Sequence, residues 1–118
     1  MKHSKVWGQV ERVETDGFSK FVDVLHIKPG GYSSEHWHEN KSNLFHVLSG
    51  RLELRQWTPR LSEGGEIVDV TTLGPGEATT IPCRVWHQFK AIEETVVIEI
   101  CDGGVETDIK RRTQGGTE

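Results

Sequence analysis

The sequence predicts an all-β, single-domain chain, and three observations carry that prediction. Its 118 residues hold twelve Val, ten Thr and seven Ile but only seven Leu, two Ala and one Met, rich in β-branched residues and poor in strong helix formers. Apolar and polar residues alternate in short segments, and no stretch of helical period outlasts about two turns. Turn signals recur about every ten residues, the spacing of a sandwich or barrel, in which closure limits exposed strand edges.

Taken in order, the alternation predicts strands over Val6–Glu14, Phe18–Lys28, Tyr32–His38, Asn43–Leu48, Arg51–Thr58, Glu66–Thr71, Ala78–Ile81, His87–Ala91 and Thr95–Cys101. Pro29-Gly30-Gly31, Ser49-Gly50, Glu63-Gly64-Gly65 and Gly74-Pro75-Gly76 separate several of them and supply glycine where a turn needs positive φ. Residues 1–5 and 113–118 are expected to be loose ends of one domain spanning 1–118.

Composition excludes several classes. Ile, Leu, Val and Phe make up 30 residues and charged residues 27%, a balance that fits neither disorder nor a membrane protein. Apolar runs of five residues or fewer fall far short of the roughly 20 needed to span a bilayer. With a net charge of −4 and a densest basic cluster, Lys110-Arg111-Arg112, that lacks interleaved aromatics, nucleic acid is not an expected partner. Met1 to Trp7 has no apolar h-region, so no signal peptide is expected, Cys83 and Cys101 are expected to stay as thiols, and the expected location is cytoplasmic.

The chemistry concentrates in histidine. His36 and His38 stand two apart on a predicted strand, so both side chains leave the same face and can approach one ion. His87 follows about fifty residues later, and a closed sheet could bring it opposite the pair. Three neutral imidazoles then form a facial metal site with open positions for water or substrate.

The run Gly31-x4-His36-x-His38-x4-Asn43-x6-Gly50 resembles the first cupin motif, with Gly30 supplying the five-residue spacer. Gly76-x5-Pro82-x-Arg84-x2-His87 resembles the second, with Arg84 in place of its second glycine and Ala91 in place of its terminal asparagine. The chain is accordingly identified as a member of the cupin superfamily, which implies a double-stranded β-helix, the jelly-roll barrel. Val24 to Gly31, Phe45 to Gly50, Ile81 to His87, Val97 to Ile100 and Thr107 to Arg111 look further like the cupin domain of type II phosphomannose isomerases.

The resemblance implies one divalent transition metal, Fe, Mn, Ni or Zn, held by His36, His38 and His87, with Asn43 at the position where the family carries Glu. An Asn oxygen is a neutral, weaker donor, so such a site should welcome an anionic ligand that brings the missing charge. The loss also removes the motif carboxylate from proton transfer. Glu99, which matches a family glutamate, is the candidate catalytic residue, facing either the cavity or solvent. Arg84, Trp86 and His26 are candidate substrate-binding residues, Arg84 either clamping an anion or pairing at the surface. Trp37 and His46 point away from the metal face and suit a homodimer interface.

The function expected from these residues is a metal-binding cupin that acts on or binds a small polar, anionic molecule, isomerase-like toward a sugar phosphate by resemblance. A three-histidine iron dioxygenase and a non-catalytic ligand-binding cupin are the alternatives.

Overall fold

The computed structural model describes residues 2–16, 20–62, 64–103, 105 and 107–118. The strands are β1 (Lys2–Lys5), β2 (Gly8–Val13), β3 (Phe21–Ile27), β4 (Gly31–Tyr32), β5 (His36–Trp37), β6 (Ser42–Ser49), β7 (Leu52–Pro59), β8 (Glu66–Leu73), β9 (Ala78–Ile81), β10 (Trp86–Ala91), β11 (Thr95–Asp102), β12 (Lys110–Arg111) and β13 (Gly116–Thr117). The expected all-β barrel of two antiparallel sheets is what forms. One sheet runs β1-β2-β3-β11-β6-β9. In the other, β10 pairs on one side with β7, which pairs with β8, and on the other side with β4 and β5, which pair with β13 and β12.

Period-2 alternation builds the core and the site together. Phe45 and Val47 on β6 and Phe89 and Ala91 on β10 are buried beside Leu25, Ile27, Leu52, Leu54 and Val97. Because alternate residues share a face, the register that buries Phe45 and Val47 also turns Asn43 inward, and the register that buries Phe89 and Ala91 turns His87 inward. Polar residues thus occupy one end of an apolar interior. The tight return after β6 uses Gly50 at φ +88°, where an added Cβ would lie 2.3 Å from the Glu94 carbonyl oxygen. That contact is why glycine ends the first motif.

Two expectations change. The single strand expected over Tyr32–His38 is broken into β4 and β5, and the pairing slips by one residue between Lys90↔Tyr32 and His87↔His36. Ser33 fills the slip: its Oγ accepts from Phe89 N at 3.0 Å while its own N–H donates to Phe89 O at 3.0 Å. The expected loose ends are also paired, β1 with β2, and β13 with β4 through Gly116↔Tyr32 and Thr117↔Gly31. These ladders join segments far apart in sequence, which local alternation cannot reveal. Phe18 and Glu63, expected in a strand and a turn, lie outside the described residues. No helix among the described residues is long and apolar enough to cross a membrane.

Candidate metal centre

His36 and His38 flank Trp37 at β5, which lies between β12 and β10, and His87 sits opposite His36 on β10. The sheet geometry therefore brings the motif pair and the distant histidine together, with ligand nitrogens all within 4.8 Å of one another. Ring centroids lie 4.2 Å apart for His36 and His87 and 5.2 Å for His38 with either partner.

Each ring is oriented by a backbone carbonyl. Nδ1–H of His36 donates to Ser34 O at 2.8 Å, that of His38 to Asp108 O at 2.6 Å, and that of His87 to Val85 O at 2.9 Å. A carbonyl accepts only from a protonated nitrogen, so all three rings keep Nε2 as the free lone pair. Nε2 of His38 and of His87 is buried without a hydrogen-bond partner. Burial lowers all three histidines, His87 to about 4 and His36 well below the usual imidazole range, where the neighbouring His87 adds to the effect. Three neutral imidazoles facing one point form a donor set suited to a divalent transition metal.

Asn43 completes the picture. Its Nδ2 donates to Glu99 Oε2 at 2.6 Å and to Cys101 Sγ at 3.3 Å, which uses both amide hydrogens. Its Oδ1 is then left buried and without a partner, like the two Nε2 atoms. Such orphaned buried acceptors are costly unless something meets them, and a cation among the three imidazoles would meet the two Nε2 atoms. Glu99 is half-buried and lines the cavity; burial pushes it up to about 7 against the opposing Asn43 hydrogen bond. Burial likewise pushes the Cys101 thiol up to about 12, and both cysteines are free.

The cavity in front of His36, His38 and Asn43 measures about 790 Å³, room for a small molecule. Arg84, Trp86 and His26 do not line it. Arg84 N–H donates to His38 O at 2.7 Å and its Nε to Glu39 O at 3.2 Å, which binds the guanidinium along the outside of the loop. Trp86 lies against the Arg112 guanidinium at 4.7 Å, and exposed His26 lies 3.9 Å from Glu11. Trp37 carries Lys110 Nζ 4.6 Å over its ring.

Sequence reasoning passed over Asp108. Its carboxylate accepts from the N–H groups of Glu39, Asn40 and Lys41 at 2.8, 2.8 and 3.1 Å, and these hydrogen bonds hold it below the usual carboxylate range. One residue of the tail thus aims His38 and clamps the loop leading to Asn43. It also passed over Lys41, although parity with Asn43 and Phe45 marks it as inward.

A cupin domain pattern matches residues 23–101. Among solved structures, the capsular polysaccharide assembling protein CapF of Staphylococcus aureus superposes with a TM-score of 0.79 at 19% identity, covering 96% of this chain and 31% of that one. A Bacillus subtilis oxalate decarboxylase gives 0.73 at 17%, covering 94% and 29%, so this chain spans about a third of either protein. KdgF from Halomonas sp. gives 0.70 at 19%, covering 90% and 88%. Among curated proteins none matches. With the family match running from Asp23 on β3 to Cys101 on β11, across both sheets and all three histidines, the chain belongs to the cupin domain family.

Proposed function

We propose that the protein is a metal-dependent cupin that takes a small, oxygen-rich anionic molecule into its cavity and acts on it. The observation that carries this reading is the set of three orphaned buried acceptors, Nε2 of His38, Nε2 of His87 and Oδ1 of Asn43, beside His36. A divalent transition metal held there would supply Lewis acidity to a ligand oxygen. The protein's own residues do the rest. Backbone carbonyls fix the three imidazoles as neutral donors, and Leu25, Phe89 and Trp7 form an apolar part of the cavity wall.

For an isomerase-like reaction a proton must move between adjacent carbons, and a cavity carboxylate is the group to carry it. The cavity holds two, and Asp23 is engaged by Arg12. Glu99 is therefore the proposed proton carrier, steadied through Oε2 by Asn43. The donor set itself favours a second reading. Three imidazoles and an amide bring no charge to the metal, the feature the resemblance associates with iron dioxygenases. Substrate-dependent oxygen uptake by the iron-loaded protein would select that reading, and oxygen-independent aldose to ketose conversion the first.

The test common to both is elemental analysis of the purified protein. One metal per chain is expected, lost in His36→Ala and weakened at least tenfold in Asn43→Leu, as read by competition with a chromophoric chelator. Full metal retention in His36→Ala would overturn the proposal.

A further inference from the structure

The cavity carries more positive charge than the metal reading uses. Lys5, Arg12, Lys41 and Arg111 line it against Asp23 and Glu99, in a chain whose net charge is −4. Arg12 is committed to Asp23. Lys41 and Arg111 are not: neither side chain has an ion pair or hydrogen bond among the described residues.

Lys41 is the unusual one, with 7% of its surface exposed. Its stem is buried, but its ammonium has no hydrogen bond among the described residues and is not among the buried polar atoms left without a partner, so the charged end keeps access to the open cavity it lines. It lies two residues before Asn43 and on the same inward parity. Its backbone is pinned by Asp108 Oδ2 at 3.1 Å, so the inward placement is enforced. Glu99, in the same cavity, gives Oε2 to Asn43 and acts on Lys41 through space without a salt bridge. Arg111 comes from the opposite direction. It pairs directly with His36 across the β12–β5 ladder, and directly opposed residues project to the same face. The two cations therefore flank the histidines, one from the barrel wall and one from the C-terminal strand.

We propose that Lys41 and Arg111 form an oxyanion subsite that holds the carboxylate or phosphate group of the ligand beside the three histidines. The inference rests on the reading of those histidines as the functional site and adds the group that selects the ligand. Lys41 supplies a compact charge with three donors at the cavity wall, and Arg111 a planar fork that meets two oxygens at once. The ligand's negative charge meets both cations and supplies the charge the neutral donor set lacks. A neutral ligand leaves Lys41 with only the through-space attraction of Glu99 and binds more weakly.

The test is calorimetric titration of the metal-loaded protein with inorganic phosphate and, separately, with malonate, for wild type, Lys41→Met and Arg111→Gln. Each variant should bind the preferred anion at least tenfold more weakly, with metal content unchanged. Lys41→Met should melt no lower than wild type without anion, since Met fills the same space and needs no counter-charge. Arg111→Gln, at an exposed position, keeps the test readable if Lys41→Met does not fold. Binding of phosphate alone identifies a phosphate group, and of malonate alone a carboxylate. Wild-type affinity in both variants, or no binding of either anion to metal-loaded wild type, overturns the subsite. Metal content on the same samples separates the two readings: protein that takes up no metal yet binds the anion in a Lys41-dependent way overturns the histidine reading and leaves the subsite standing.

Discussion

At the scale of single residues, the site is built from groups kept in one protonation state by burial. His87, 1% exposed, is held near 4 while an unfolded histidine titrates near 6.5. In the metal-free protein the unfolded chain therefore binds the proton first as pH falls. The stability that neutral His87 carries is fully present above about 6.5 and is lost progressively down to about 4, roughly 3 kcal/mol over that window. His36 and His38 shift in the same direction. Chelator-treated protein should thus show a denaturation midpoint that declines across this range, and His87→Gln should flatten the decline. A midpoint independent of pH between 7 and 4.5 would contradict the assignment. Asn43 makes the complementary point: its two amide hydrogens are spent on Glu99 and Cys101, so its oxygen has one direction left to face.

At the scale of elements, the turn before β10 shows how a departure from the motif is carried. Arg84 stands where the resemblance expects glycine, and it adopts φ +64°, in the left-handed region that favours glycine. The turn keeps its shape because Arg84 N–H donates to His38 O at 2.7 Å, which ties the second motif to the first. Relief of that backbone strain makes Arg84→Gly stabilising by about 1 kcal/mol, less the entropy glycine gains in the unfolded chain. Thermal unfolding should show a melting temperature at or above that of wild type, whereas Arg84→Val should lower it. A clear loss in Arg84→Gly would mean that the guanidinium contact to Glu39 O outweighs the strain.

At the scale of the whole molecule, the C-terminal segment is a strap across the open edge of the second sheet. Arg112 fastens it: the guanidinium lies 5.0 Å from the Trp57 ring and 4.7 Å from that of Trp86, with Nε donating to Glu35 at 3.0 Å and Nη1 to Glu66 at 3.1 Å. The strap in turn carries Asp108, whose carbonyl aims His38, and Arg111, which faces the cavity. Arg112→Ala should therefore speed amide hydrogen exchange at Lys110 to Arg112 while β6 and β11 keep their protection, and should weaken metal binding by roughly tenfold. Unchanged exchange in the strap would show that the strand pairings alone hold it.

Much of this molecule was legible in the chain. Alternation at period 2 placed His36, His38 and Asn43, and the glycine-punctuated segments marked the barrel, because both depend on local backbone geometry that short sequence encodes. The spacing of His87 matched a motif, but only the pairing of β10 with β5 within the second sheet set it opposite His36. Arg111, Arg112 and Asp108 read as part of a basic, polar tail. Their roles come from pairing β12 with β5 across more than seventy positions, which no local pattern reports. Lys41 lay between these cases: its parity was readable, but that its charged end faces the cavity without a salt bridge is a property of what surrounds it in space. The sequence by itself thus determined which faces turn inward and which residues could bind a metal. Tertiary structure decided which donors converge, which acceptors stay unmet and which cations wait beside them, because convergence is a matter of long-range strand register.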